Sequence, residues 1–431
     1  MSHPTSRSDA GTRRDFLAAS AAGLAGAAAL VPTVHAAGSD VLKVGLIGCG
    51  GRGTGAATQA LRADPNTRLV AMGDMFPDRL QLSLRQLKGD DEISKRVDVK
   101  PESTFVGFDA YKQVIKSGVD VVLLTAPPGF RPIHLRAAVE AGKHIFCEKP
   151  MAVDGPGVRS VIATCREAKK KNLAVVAGFC WRYHKGKRET MKRIHQGAIG
   201  DIVALQCTYN AGALWHRPRE KAWDDMTWQL RNWLYFTWLS GDHIVEQACH
   251  SIDKMMWAMK DEPPVKANGT GGRQVRVEPE FGHIFDHHSV VYEWKNGVKM
   301  FHTCRQQKGC HNDVSDYAFG TKGVANIMGH RITGENPWVH RAKRGDRAED
   351  MYQNEHDELF ASIRSGKPIN DGDWMTQSTM AAILGRMSTY TGQEITWEMA
   401  MNSKEDLSPP KYDFGPLPTP PVAKPGVTQF S

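Results

Sequence analysis

Val44-Gly45-Leu46-Ile47-Gly48-Cys49-Gly50-Gly51-Arg52-Gly53-Thr54-Gly55 ends an apolar run on a glycine cluster and passes directly into a helix-forming segment. Gly48, Gly50 and Gly53 hold the G-x-G-x-x-G spacing. The first glycine makes a tight turn, the second lets backbone approach a pyrophosphate, and the third lets the helix close onto the strand. Phosphates then face a helix N-terminus. The flanks carry the reading further: residues 41–47 have the unbroken apolar character of a buried parallel strand, and a second such strand, residues 69–73, ends at Asp74. A carboxylate there can take both hydroxyls of the adenosine ribose and repels a 2′-phosphate, so the nucleotide expected is NAD.

Working outward, a polar helical segment follows Asp74, then a charged connector at 89–101 that reads as surface loop, and a short helix at 108–116. A third strand at 119–125 is broken by Ala126-Pro127-Pro128-Gly129, at the carboxyl edge where open α/β sheets place their ligands. Helix 134–141, strand 144–147, helix 157–171 and strand 173–178 complete a βαβαβ alternation, which implies right-handed crossovers in a doubly wound parallel sheet. From about residue 179 the pattern changes: a helix at 186–196, a strand at 202–207 and a tryptophan-rich insertion at 215–238. Residues 289–294 and 298–303 flank Asn296-Gly297, a hairpin signal that points to antiparallel pairing. Helices at 355–365 and 374–390 close the second domain, and the proline-rich tail from Ser408 reads as extended and loosely held.

The chain has 431 residues, enough for two or three domains, with 41% hydrophobic and 24% charged residues, ordinary for a globular protein. A net charge of +8 could suit nucleic acid, but the cations are scattered and their longest run is Lys169-Lys170-Lys171, so a solvated surface is the reading taken. At the N-terminus, Thr12-Arg13-Arg14-Asp15-Phe16-Leu17 is a twin-arginine signature followed by an Ala/Gly-rich stretch, with Val34-His35-Ala36 offering a cleavage site. Residues 1–36 are therefore an export signal, the mature protein is periplasmic, and no membrane span is expected in it. The domains expected are a nucleotide-binding domain at 37–180, a second α/β domain at 181–407 and the tail at 408–431. Eight cysteines show no zinc spacing; Cys304 and Cys310 are candidates for a disulfide in an oxidising compartment.

Two further constellations carry chemistry. Glu148-Lys149-Pro150 follows a parallel strand on the same sheet edge as the glycine loop. If partly buried, Lys149 would have a lowered pKa and exchange protons with a substrate hydroxyl. The second is Gly241 to Asp253, where Ile244, Ala248, Ile252, Met255 and Met259 recur at helical spacing and Asp242, Glu246, His250 and Asp253 fall on one polar stripe. A carboxylate one turn from an imidazole orients it and favours its protonated form. No metal is expected here. In the insertion, Trp223, Trp228, Trp233 and Tyr235 stand beside Arg231 and Asn232, a mixture that suits a carbohydrate ring and equally suits core packing or a subunit interface.

Glycine loop, E-K-P triplet and the E-x-x-x-H-x-x-D segment together resemble the Gfo/Idh/MocA oxidoreductases, over about residues 42–403. The likeness extends to Thr125-Ala126-Pro127-Pro128 with His134, residues 178–183, the Asn-Gly hairpin and residues 382–392. It implies an N-terminal Rossmann domain, a C-terminal α/β domain with an open, mainly antiparallel sheet used for homo-oligomer contacts (a dimer or tetramer), and Lys149 and His250 as the acid/base pair beside Glu246. It also implies a cis Lys149–Pro150 bond, cofactor contacts at Gly51, Arg52, Thr125, Pro127, His134, Glu148 and Arg182, and a substrate contact at Tyr183. Glu246 stands where most members have aspartate, a departure that bears on the proton path.

These readings converge on an NAD-dependent oxidoreductase acting on a sugar or cyclitol hydroxyl. Export in the folded state implies that the cofactor leaves the cell already bound. That opens a rival in which NAD is recycled within one cycle, as in a glycoside hydrolase, lyase or epimerase, and a third reading as a non-catalytic sugar-binding protein.

Overall fold

The computed structural model describes residues 40–342, 345 and 349–431; residues 1–36, expected to be an export signal, lie outside them. The first sheet is parallel. Its strands are β1 (Leu42–Ile47), β2 (Thr67–Asp74), β3 (Thr104–Val106), β4 (Val121–Leu124), β5 (His144–Cys147) and β6 (Val175–Ala177), in the order β3-β2-β1-β4-β5-β6. All twelve residues of β4, β5 and the last four of β1, Val44 to Ile47, are buried, as strands covered by helices on both faces must be. Strand β3, three half-exposed residues at the sheet edge, falls just beyond the segment read as loop and is too short to show a period.

The second sheet has nine strands: β7 (Ile202–Ala211), β8 (Lys266–Gly272), β9 (His287–Glu293), β10 (Lys299–Gln306), β11 (Asp316–Gly320), β12 (Gly323–Asn326), β13 (Arg331–Gly334), β14 (Trp338–Val339) and β15 (Ile395–Thr396). Only β7 and β10 pair in parallel; every other pair is antiparallel. The β9–β10 turn forms at Asn296-Gly297 as expected, with Trp294 donating to Val298 and Gly297 at φ +85°. One face of this sheet is open: Val203 and Phe301 are 54% and 50% exposed. The other face is covered by helix Gly372–Thr391, buried almost all round, with the hydroxyls of Thr376, Thr379, Thr389 and Thr391 bonded back to carbonyls of the same helix. That helix and helix Gly155–Lys170 belong to one continuous core running beneath both sheets.

Three expectations are corrected. The apolar repeat at 244–259 is two helices, His243–Glu246 and Cys249–Ala258, with Asp242 at φ +77° ahead of the first, so the four acidic and histidine side chains do not form one stripe. The tail is extended but not loose: Tyr412 and Phe414 pack on Phe108, Gln229 donates to the Leu417 carbonyl at 2.7 Å, and Ser403 donates to the carbonyl of Ser431. Cys304 is buried, Cys310 is exposed, and both are free thiols. No helix among the described residues is long and apolar enough to cross a membrane.

Candidate active site

A cleft of about 600 Å³ runs along the carboxyl edge of the parallel sheet. Its floor is the glycine loop. Gly48 takes φ +99°, and a side chain there would meet the Ala126 amide at 2.5 Å, so only glycine makes this turn. A Cβ at Gly53 would lie 1.9 Å from the Gly48 carbonyl, which is how closely helix Gly51–Ala63 sits on the strand. Thr125 locks the turn by donating to the Gly48 carbonyl at 2.6 Å. At Gly50 and Gly51, by contrast, a Cβ would meet nothing within 4 Å: the space before the helix N-terminus is open. At the far end Asp74 is held by the amides of Cys49 (2.6 Å) and Phe76 (2.9 Å), and burial raises its pKa. These residues fit a dinucleotide whose diphosphate lies over the glycines and whose ribose reaches Asp74.

Lys149 enters at the other end, on a cis peptide bond to Pro150. Its ammonium donates to the Glu246 carboxylate at 2.8 Å and to the Glu246 carbonyl at 2.5 Å. Burial lowers its pKa, but Glu246 outweighs burial and holds it above the usual lysine range. The expectation of a lowered lysine pKa is thus reversed, because the carboxylate touches Lys149 and not the imidazole. His250 shows the opposite reversal. Burial, then the charges of Lys149 and Lys254, push its pKa well below the ordinary histidine value, so the ring is neutral. Its Nδ1 is buried without a hydrogen-bond partner, and the ring stacks on Trp181 with centroids 5.4 Å apart.

Gly48, Gly50, Gly51, Arg52, Gly53, Asp74, Thr125, Pro127, His134, Glu148, Lys149, Arg231, Trp233, Glu246 and His250 all line this cleft. Arg52 is committed, to Glu148 and to Glu355 at 2.5 Å, and acts as a strut between wall and floor. His134, pushed down to about 3 by burial, stacks against Tyr111 at 4.3 Å. Four expected contacts lie outside the lining. Arg182 is buried against Asp253 and Asp261, Tyr183 donates to Asp371 at 2.7 Å, Asn232 caps the Arg217 backbone, and Tyr235 donates to the Trp215 carbonyl at 3.0 Å. Their side chains complete the core instead. Arg231, grouped with substrate contacts in the sequence, instead pairs with Asp78 near the Asp74 end.

Trp181 and Lys254 were not anticipated. The Lys254 ammonium lies 3.1 Å from the Trp181 ring centroid and forms a fully buried ion pair with Asp316. Asp242, His243 and His288 are the one trio among the described residues placed to hold a metal. The Asp242 oxygens are already taken by the Phe285 amide (2.8 Å), the Tyr390 hydroxyl (2.6 Å) and His243, so the trio is a buried hydrogen-bond hub.

Two family models match, the oxidoreductase family with NAD-binding Rossmann fold over residues 42–179 and the GFO/IDH/MocA C-terminal domain over residues 188–326. The chain belongs to the Gfo/Idh/MocA oxidoreductase family. It is 25% identical over 291 residues to an inositol 2-dehydrogenase of Serratia proteamaculans, covering 66% of this chain and 74% of that one. It is 26% identical over 297 residues to inositol 2-dehydrogenase 3 of Saccharopolyspora erythraea, covering 68% and 75%. The fold matches an aldose-aldose oxidoreductase from Caulobacter crescentus complexed with glycerol (TM-score 0.64, 18% identity, 83% and 99% covered). It also matches a scyllo-inositol dehydrogenase from Lactobacillus casei with bound NAD(H) and scyllo-inositol (TM-score 0.63, 18% identity, 83% and 99% covered). The protein is an oxidoreductase with an NAD-binding Rossmann domain.

Proposed function

We propose that the protein oxidises a secondary hydroxyl of a sugar or cyclitol, and catalyses the reverse reduction, with Lys149 and His250 handling the hydroxyl proton. The observation that carries this is the convergence of a charged ammonium and a neutral, unpartnered imidazole on the cleft that holds the glycine loop. Bound NAD supplies the hydride acceptor. Lys149, fixed by Glu246, donates a hydrogen bond to the substrate oxygen and stabilises negative charge developing there. His250, neutral and desolvated, takes the hydroxyl proton and returns it in the reverse direction. The extra methylene of Glu246 spans to Lys149, and its carboxylate stays ion-paired at 2.8 Å. Inositol 2-dehydrogenases among the relatives support a polyhydroxylated ring as the substrate class.

The same proposal makes the protein a periplasmic export product, from the twin-arginine signature, and a homo-oligomer through the open sheet face around Val203 and Phe301. The test is a panel of inositols, aldoses and glycosides incubated with the NAD-loaded protein, with products read by mass spectrometry. A keto product with matching NADH supports the dehydrogenase. Glycoside cleavage without net NADH would replace it with an internally recycled hydrolase. No change in any compound would end the catalytic reading.

A further inference from the structure

Residues of the tryptophan-rich insertion form a second wall of the cleft that holds the glycine loop, and a smaller cavity opens beside it, lined by His216, Arg217, Glu220, Trp223 and Asp78. Trp215, Arg217, Arg231 and Trp233 face the same space as the glycine loop and Asp74. Arg231 reaches across to the Rossmann domain, donating both terminal nitrogens to Asp78 at 2.8 and 2.9 Å, and its guanidinium lies 4.0 Å from the Phe76 ring centroid. Phe76 and Asp78 directly follow the Asp74 position that marks the ribose. The insertion is braced from behind by the C-terminal tail: Met226 donates to the Gly415 carbonyl, Leu417 donates to Asp225, and Phe414 packs on Phe76.

The electrostatics of this wall are unbalanced. Arg217 has no carboxylate partner among the described residues and lies against Trp215. Burial first, then repulsion from Arg79 and Arg231, lowers its pKa. Arg79 touches a carboxylate only at 3.9 Å, and that carboxylate, Asp78, is already held by Arg231. The nearby Asp74 accepts from two amides, and the Arg79 charge acts on it. The guanidiniums of Arg79, Arg217 and Arg231 thus gather at the Asp74 end of the cleft around Asp78 and Asp74, an excess of positive charge that suits an anionic ligand.

We propose that the insertion at 215–238 is a clamp that makes NAD a resident group: Arg217 and Arg79 engage the anionic half of the nucleotide, and the Arg231–Asp78 pair latches the insertion over it. This rests on the NAD oxidoreductase reading above. The dinucleotide leaves only when the latch and its aromatic stack open together, so release is slow compared with an open Rossmann cleft.

The test is the release of NADH from the loaded full-length protein, followed by fluorescence after a chase with excess NAD. Wild-type protein is expected to keep its nucleotide through gel filtration. Asp78→Ala is expected to speed release about threefold, since it removes an exposed ion pair, and Arg231→Ala roughly tenfold, since it also removes the stack on Phe76. Asp78→Arg combined with Arg231→Asp is expected to slow it again, which separates the latch from a folding defect. Arg217→Ala is expected to weaken NADH binding and reduce its dependence on salt. Release at the wild-type rate from both latch variants would overturn the clamp while leaving the cofactor reading intact. Failure of the wild-type protein to bind NADH at all would overturn the cofactor reading and the clamp with it.

Discussion

In the proposed mechanism Lys149 and His250 divide the proton work because their surroundings push their charges apart. Glu246 keeps the ammonium charged, whereas burial and two neighbouring ammonium groups keep the imidazole neutral. Lys149→Met is expected to lower turnover at least ~100-fold, the low end of what one proton-transferring group contributes, with nucleotide binding unchanged by fluorescence titration. In the oxidation direction neutral His250 is the competent form. Activity should therefore hold through neutral pH and fall only as pH drops through the depressed His250 pKa, below the ordinary histidine range. Replacing the buried pair as Lys254→Met with Asp316→Leu leaves the net charge unchanged but removes the Lys254 charge that depresses the ring, whereas Asp316 is not among the charges acting on it, so the acid limb of kcat/KM should move to higher pH. An unmoved limb in a folded variant would deny Lys254 any influence on the ring. At this scale the sequence brings Lys149 and His250 to one cleft but assigns their charge states backwards. Spacing predicts that Glu246 and His250 lie one turn apart on a helix; it does not show that the helix breaks between them or that Glu246 turns to Lys149, nearly a hundred positions away. Trp181 was overlooked beside Arg182 and Tyr183 because the 3-10 turn Cys180–Tyr183 sends successive side chains in different directions, its tryptophan to His250 and its neighbours to Asp253 and Asp371.

At the scale of elements, the glycine loop was the most legible part of the chain, because backbone conformation and close approach restrict the residue type directly. Its glycines nevertheless serve different ends, and substitution should separate them. Gly53→Ala forces a Cβ into the Gly48 carbonyl and is expected to cost about 1–3 kcal/mol of stability, read as a lowered midpoint in denaturant. Gly50→Ala meets no protein atom and should leave the midpoint in place while weakening NAD binding, since the methyl occupies the space open to the nucleotide. Equal loss of stability in both would mean the loop is shaped by folding alone. The helical repeat at 244–259 was legible as apolar spacing, but the interruption at Gln247–Ala248 was not: the apolar positions keep their period across it. Strand β3 was missed for the opposite reason, having too few residues to show any pattern.

For the molecule as a whole, two features depend on contacts between distant parts of the chain and were beyond sequence reading. One is the insertion, whose tryptophans suit a sugar pocket or a core by composition alone, while the contact of Arg231 with Asp78 depends on how distant segments meet. The other is the tail, whose prolines suggest freedom while its aromatic residues suggest docking. Deleting residues 408–431 is expected to lower thermal stability by several degrees and to expose Phe108, Phe130 and Trp238, detectable as a red-shifted tryptophan emission. The account's central claim is that one ammonium and one neutral imidazole act on a substrate hydroxyl beside bound NAD. Its most direct test is single-turnover reduction of the bound nucleotide, comparing wild type with Lys149→Met and His250→Gln on whichever sugar or cyclitol the panel identifies. The account predicts NADH formation in the wild type and its near-complete loss in both variants, with nucleotide still bound; NADH appearing at the wild-type rate in either variant would contradict it.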